Sequence, residues 1–283
     1  MSPSRPRTAG SEPVHRQVAR NIRTAIEAGV LRHKEVLPST RELAEQWSTS
    51  VFTINEAMKL LVDEGLVVSK SRSKRVVNAP EREPDGQVRL RKPQVILIGG
   101  HVGSGKSELG RILARETGWP IIDKDTITRP VVEAALEMLH LSPNDRESST
   151  YRDIIRPREY EALRAAIEEN VGCGNSAVVP APFLQEFNDP AWISRIQARL
   201  TDLNAKTTYV WVYCDAETMH TYVRHRGAAR DAAKLADWSG YLASIDVDFR
   251  PPVPHFLIDN SASSRPLQSQ AKDLLASVLG DDR

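Results

Sequence analysis

Apolar residues recur at Val14, Val18, Ile22 and Ile26, one every four positions, the spacing that lines one face of a helix. That first helix is predicted to end near Gly29, a residue suited to a C-cap. Pro38 precedes Ser39, and Glu42 three residues on completes a capping-box signature, so a second helix is predicted to run to about Trp47. After the turn Ser48-Thr49, Ser50 can cap a third helix, whose Ile54, Ala57, Met58 and Leu61 fall at i, i+3, i+4 and i+7. Gly65 stops it. Leu66-Val67-Val68 and Val76-Val77 then read as two strands around the basic tip Lys70–Arg75. Beyond residue 93 the pattern changes to short, continuous apolar runs. Gln94–Gly99, Trp119–Ile122, Ser176–Val179, Tyr209–Cys214 and His255–Asp259 are predicted as strands. Helical stretches such as Glu108–Thr117, Arg158–Asn170 and Lys272–Leu279 intervene or follow. Strands alternating with helices predict an α/β domain with a mostly parallel, five-stranded sheet.

The 283 residues leave room for about two domains, and 40% apolar with 27% charged residues excludes a wholly disordered chain. Asn78–Lys92 has alternating charges, prolines and little to bury, so it is expected to be a linker between a domain at 12–77 and another at 93–283. Residues 1–11 are expected to be a disordered tail. The Ser/Pro/Arg-rich start has no apolar core like that of a secretory signal, and runs such as Val95–Ile98 are too short to span a bilayer. Cys173 and Cys214 make neither a disulfide framework nor a metal cluster. A cytoplasmic protein with no membrane partner is therefore expected. The formal charge of +1 hides an asymmetry: residues 1–92 carry 17 Lys/Arg against 11 Asp/Glu, and the remainder 21 against 26. A basic front half suits a nucleic-acid-binding module.

Two helices separated by a short turn and followed by a basic hairpin make a winged helix-turn-helix, here of α+β class. The third helix is expected in the major groove, with the hairpin tip on backbone phosphates. Through Pro38–Glu45, Thr53–Ala57 and Leu60–Val67, residues 13–77 resemble the DNA-binding domain of the GntR family of bacterial regulators. The resemblance implies an operator double-stranded DNA partner, bound by a homodimer on a palindrome. It implies contacts from Arg41, Ser50 and Thr53, with Ser39, Thr40 and Asn55 on the same surface, and wing phosphates held by Arg72, Lys74 and Arg75. The family usually has arginines where this chain has Val51 and Asn55, and a glycine-rich wing tip where it has Ser71–Arg75. Val51 and Phe52 offer apolar contacts to thymine methyls instead, so a different sequence preference is expected.

The strand Gln94–Gly99 runs into Gly100-His101-Val102-Gly103-Ser104-Gly105-Lys106-Ser107, a full match to G-x-x-x-x-G-K-[ST], with a helix opening at Glu108. Strand, glycine loop and helix in that order predict a P-loop. Glycines let successive N–H groups face phosphate oxygens, and the helix N-terminus adds its dipole. Lys106 supplies a charge to the β- and γ-phosphates, and the Ser107 hydroxyl can hold Mg²⁺. Asp123-Lys124-Asp125 follows the second predicted strand, at the sheet edge where α/β proteins place ligand groups. Gln94–Ala135 resembles the small P-loop kinases of the zeta-toxin, gluconate-kinase and chloramphenicol-phosphotransferase groups. The resemblance implies binding of ATP, or another NTP or dNTP, with Mg²⁺. It implies Asp123 as base or metal-side carboxylate and places Asp125 and Arg129 near an acceptor. The basic run at 222–231 looks like a lid over the triphosphate, with Arg226 and Arg230 four apart on one helical face. Asn260 and Ser261 would border the base. After the third strand the sequence is Pro180-Ala181-Pro182-Phe183, where related kinases often carry an Asp.

Two functions from different classes fit these features. One is a transcriptional regulator whose P-loop domain binds a nucleotide effector, which the missing carboxylate near Pro180 suits. The other is an active small-molecule kinase with a regulatory winged helix, which Asp123, Asp125 and the Arg224–Arg230 cluster suit. A polynucleotide kinase tethered by the winged helix is a third.

Overall fold

The computed structural model describes residues 12–28, 30–31, 33–70, 74–79 and 92–280. The predicted tail, residues 80–91 of the predicted linker, the helix end at Gly29, and the wing-tip residues 71–73 with Arg72 lie outside the described residues. The chain divides into two compact units.

In the first unit, α1 (Val14–Glu27), α2 (Thr40–Gln46) and α3 (Val51–Asp63) precede the antiparallel strands β1 (Val67–Ser69) and β2 (Arg75–Val77). The capping box forms as its sequence requires. Ser39 Oγ accepts from the Glu42 N–H, and the Glu42 carboxylate accepts from the Ser39 N–H at 2.6 Å. Ser50 Oγ likewise accepts from the Thr53 N–H at 3.1 Å and starts α3. Val18, Ile22 and Ile26 of α1 pack with Leu43 of α2 and Ile54, Met58 and Leu61 of α3 into one core. Val14 departs from its predicted stripe: as the first helical residue it stays 43% exposed. Val36 bridges Val76, which adds a third short segment to the wing that the sequence pattern did not mark.

In the second unit the buried heptad β3 (Gln94–Gly100) leads into α4 (Lys106–Thr117), then α5 (Lys124–Met138). A π-helical segment, Thr150–Ile155, runs directly into α6 (Arg156–Gly172). β4 (Ala177–Pro180), α7 (Pro190–Asp202), β5 (Lys206–Tyr213) and α8 (Ala216–Arg226) follow. A 3₁₀ turn (Ala229–Asp231), α9 (Ala232–Ala236), α10 (Trp238–Ala243), β6 (Phe256–Asp259) and α11 (Leu267–Gly280) complete it. The sheet is parallel throughout in the order β4-β3-β5-β6, with Leu97 level with Val179 on one side and Tyr209 on the other. Alternation along β3 turns Val95 and Leu97 toward Leu163 and Ile167 of α6 and Ile196 and Leu200 of α7. Helix α4 packs on β3 and β4, and α11 packs on α4 and β6.

The predicted five-stranded sheet has four strands. Trp119–Ile122 pairs only through Ile121, in a single parallel bridge to Val178. Pro120 has no N–H to donate, although its carbonyl accepts from Val178 N–H at 3.0 Å, and Asp123 already caps α5. Too few residues remain on the sheet to make a strand. Among the described residues no helix is long and apolar enough to cross a membrane.

Candidate nucleotide and DNA sites

The loop between β3 and α4 is held open by glycines that nothing larger could replace. A Cβ on Gly105, where φ is +96°, would lie 2.2 Å from Asn260 Nδ2, and one on Gly100 would lie 2.6 Å from the Val212 carbonyl oxygen. Asn260 Nδ2 donates to the Ser104 carbonyl at 3.0 Å, so the end of β6 braces the loop. Lys106 Nζ donates to the His101 carbonyl at 2.7 Å. Burial, with a smaller push from Arg226, lowers the Lys106 ammonium to about 8. The His101 ring is itself buried, with Nε2 2.8 Å from the Asp246 carbonyl oxygen.

Asp123 works in two directions. Its Oδ1 accepts from the N–H groups of Asp125 (2.9 Å) and Thr126 (3.3 Å), which caps α5, and its Oδ2 accepts from the Ser107 hydroxyl at 2.7 Å. The two predicted metal-side residues thus meet. A hydroxyl and a carboxylate oxygen side by side are the hard donors that Mg²⁺ takes, so the pair fits that cation.

A cleft of about 150 Å³ opens beside the loop, lined by Val102, Lys106, Ser107, Asp123 and Asp125. Arg226 and Arg230 line it too, each already paired. Both Nε and Nη2 of Arg226 hold the buried Asp231, Nε at 3.0 Å, and Arg230 Nη2 meets Asp125 Oδ2 at 2.8 Å. Burial alone would raise the Asp125 carboxyl; Lys124 and Arg230 outweigh it and bring it down to about 2.

The two arginines do not share one helical face as predicted. Gly227, at φ +59°, ends α8 in the left-handed conformation right after Arg226, and Arg230 sits in the 3₁₀ turn beyond. Arg129, expected near the acceptor, lies outside the cleft lining, exposed and 3.9 Å from Glu133 on its own helix. Glu108 likewise lies outside, 3.8 Å from Arg111. Asn260 and Ser261 are buried. Asn260 braces the loop as described, and Ser261 Oγ accepts from the Asp215 N–H at 3.0 Å.

Sequence reasoning missed a further part of the cleft wall, which Arg146, Tyr151, Arg156, Tyr160 and Lys234 line. It also missed what stiffens that wall. Glu159, 3% exposed, accepts from Lys124 Nζ, Thr128 Oγ1 and Tyr151 OH, each at 2.7 Å. The available signal was the interleaving of arginines and tyrosines over residues 146–160.

In the first unit, Val51 and Phe52 stand out from the start of α3, 45% and 74% exposed. Ser50 and Thr53 bond to each other at 2.8 Å on the same turn. Arg41 and Lys74 are exposed. Arg75, expected on phosphate, reaches inward: Nη1 donates to Thr40 Oγ1 at 2.7 Å and Nη2 to Asn55 Oδ1 at 2.9 Å, tying α2 to α3.

Comparison with known proteins gives two family matches. Residues 14–77 match the bacterial regulatory proteins of the gntR family, and residues 95–247 match the family described as AAA domain. The chain is 31% identical over 119 residues to the HTH-type transcriptional regulator GgaR of Escherichia coli K12, covering 39% of this chain and 48% of that protein. It is 31% identical over 107 residues to shikimate kinase of Moorella thermoacetica, covering 36% of this chain and 58% of that enzyme. The chain spans about half the length of the curated relatives it matches. A gluconokinase structure from Sinorhizobium meliloti 1021 aligns with 68% of this chain and 95% of its own, at 16% identity and a TM-score of 0.43.

Proposed function

We propose, for a chain that belongs to the AAA domain family and carries a gntR-family DNA-binding domain in front of it, that nucleotide held in the P-loop sets the affinity of the winged helix for operator DNA. The observation that carries this reading is the meeting of Lys106, Ser107 and Asp123 at one cleft, in a chain whose recognition helix presents Phe52 outward. Lys106 neutralises the terminal phosphates and the loop N–H groups cradle them. Ser107 and Asp123 hold Mg²⁺, which offsets phosphate charge when bound. The nucleotide is ATP or a related NTP or dNTP.

An effector shifts DNA binding only if it prefers one state of the protein. In the free protein Arg226 holds Asp231 and Arg230 holds Asp125; a triphosphate would compete with each carboxylate for its arginine and so favour a state in which these pairs have opened. The protein acts as a homodimer on a palindromic site in the cytoplasm.

Asp123→Asn keeps the helix cap but weakens the metal side. Calorimetry is expected to show ATP·Mg²⁺ binding reduced about tenfold or more, with Mg²⁺-free nucleotide binding little changed. An unaltered Mg²⁺ dependence would remove Asp123 from the site. The pH dependence is equally specific. With Lys106 at about 8 in the free protein, binding of a polyphosphate must restore its proton above that pH. Affinity is expected to be level below pH 8 and to fall by up to about tenfold per unit above it. Lys106→Arg, charged at every pH in range, is expected to flatten the profile.

A phosphotransferase reading is favoured by one observation: the cleft extends past the P-loop to Asp125. Transfer of labelled phosphate from ATP to a small molecule would support it.

A further inference from the structure

Beyond the P-loop residues the cleft lining is basic, and the nucleotide contacts of Lys106, Ser107 and Asp123 do not use Arg146, Arg156 or Lys234. Five cations lining the cleft already have carboxylate partners. Arg156 grips Glu186, Nη1 to Oε1 at 2.8 Å and Nη2 to Oε2 at 2.9 Å. Lys234 meets Glu147 at 2.6 Å and Lys124 meets Glu159 at 2.7 Å. Arg226 and Arg230 hold Asp231 and Asp125.

Arg146 differs from these. Among the described residues it makes no ion pair within 4 Å, and the neighbouring Asp145 carboxylate is engaged by the N–H groups of Glu147 (2.9 Å) and Ser148 (3.0 Å). Its Nη1 donates to the carbonyls of Pro143 (3.1 Å) and Asp145 (2.6 Å), and its guanidinium lies 5.0 Å from the Tyr151 ring centroid. Tyr151 is fixed in turn through its hydroxyl on the buried Glu159. The side chain is therefore held in place while Nε and Nη2 keep donors to offer. A pre-oriented guanidinium without a counter-ion is what an oxyanion binds best, because little entropy remains to be lost.

We propose that Arg146 anchors a second anion subsite, which takes a small molecule carrying a phosphate or carboxylate group alongside the nucleotide. The proposal rests on the P-loop reading, since the shared cleft is what sets the two ligands side by side. Lys234 lines the same cleft and can turn from its carboxylate toward the incoming anion. Asp125, also lining the cleft, offers an acceptor to a hydroxyl group of the same molecule.

The test uses the full chain saturated with AMP-PNP·Mg²⁺, so that the P-loop is filled. Glycerol 3-phosphate, glycerate and glycerol are then titrated by calorimetry; they share a three-carbon skeleton and differ in charge. One or both anions are expected to bind and glycerol is not; phosphate alone marks a phosphate ester, and glycerate alone a carboxylate. Arg146→Gln is expected to weaken the anion about tenfold or more while AMP-PNP affinity stays within about twofold. Arg146→Lys, which keeps the charge, is expected to retain part of the binding, and melting curves confirm that both variants fold. No anion binding to the wild type, undiminished binding to Arg146→Gln, or equal loss of AMP-PNP and anion would each overturn the subsite. If AMP-PNP itself does not bind, the P-loop reading fails. The anions are then titrated alone, where Arg146-dependent binding supports the subsite and its absence overturns it.

Discussion

Lys106→Ala is expected to weaken ATP·Mg²⁺ binding about a hundredfold or more, while DNA binding in the absence of nucleotide stays unchanged. Lys106 opens α4 at the end of the loop, and among the described residues its ammonium donates to the His101 carbonyl alone, at 2.7 Å. A phosphate offers that ammonium a charged partner in place of a neutral one, at a half-buried position in the cleft. Charge-assisted bonds of this kind are worth most where water is excluded, and a hundredfold change corresponds to about 2.7 kcal/mol. The free protein does not depend on the charge: burial pushes the ammonium down to about 8, so the protonated form is strained against its surroundings. The variant is therefore expected to fold and melt much like the wild type. Calorimetry with ATP·Mg²⁺ and a melting curve on the same preparation check both halves. Unchanged nucleotide affinity would place the nucleotide elsewhere.

The second large effect lies on the winged helix. Arg75→Ala is expected to weaken binding to a preferred duplex by about tenfold or more and to relax sequence preference. Lys74→Ala is expected to weaken all duplexes alike and to lower the salt slope by about one. The two neighbours differ because of where their side chains go. Lys74 is exposed, so it is expected to meet a phosphate as a point charge. Arg75 bonds Thr40 on α2 and Asn55 on α3, so it fixes the angle between the two helices and occupies the Asn55 oxygen. With Oδ1 taken, Asn55 presents its amide N–H groups as donors, and bidentate readout of adenine, which needs that oxygen, is disfavoured. Removing Arg75 frees Asn55 and loosens the recognition helix together. Anisotropy on a duplex selected from a random library and on a scrambled one, across a salt series, separates the two outcomes. Equal effects from both substitutions would show that Arg75 serves only as a charge.

What the sequence made legible was local. Ser39 with Glu42, Ser50 before α3, and the strand–glycine loop–helix at 94–117 each depend on residues within a few positions, and each forms. The errors trace to pairing and to distance. Trp119–Ile122 reads as a strand by composition, yet Pro120 lacks a donor and Asp123 must cap the next helix. Arg226 and Arg230 are spaced as helical neighbours, but Gly227 between them adopts positive φ. Asn260 braces Ser104 from 156 positions away, and Glu159 gathers Lys124 and Thr128 from α5 and Tyr151 from the π-helical segment. No periodicity encodes such contacts. The interleaved arginines and tyrosines around Arg146 are local, but it is the fold that puts them in one cleft with the loop.

The central claim is that nucleotide in the P-loop domain governs DNA binding by the winged helix. Its most direct test is the affinity of the full chain for the selected duplex at fixed salt, titrated with ATP·Mg²⁺ and, separately, with AMP-PNP·Mg²⁺. Both nucleotides are expected to shift DNA affinity in the same direction, by about fivefold or more, with no shift in Lys106→Ala. DNA affinity that does not change while calorimetry shows both nucleotides bound would contradict the account.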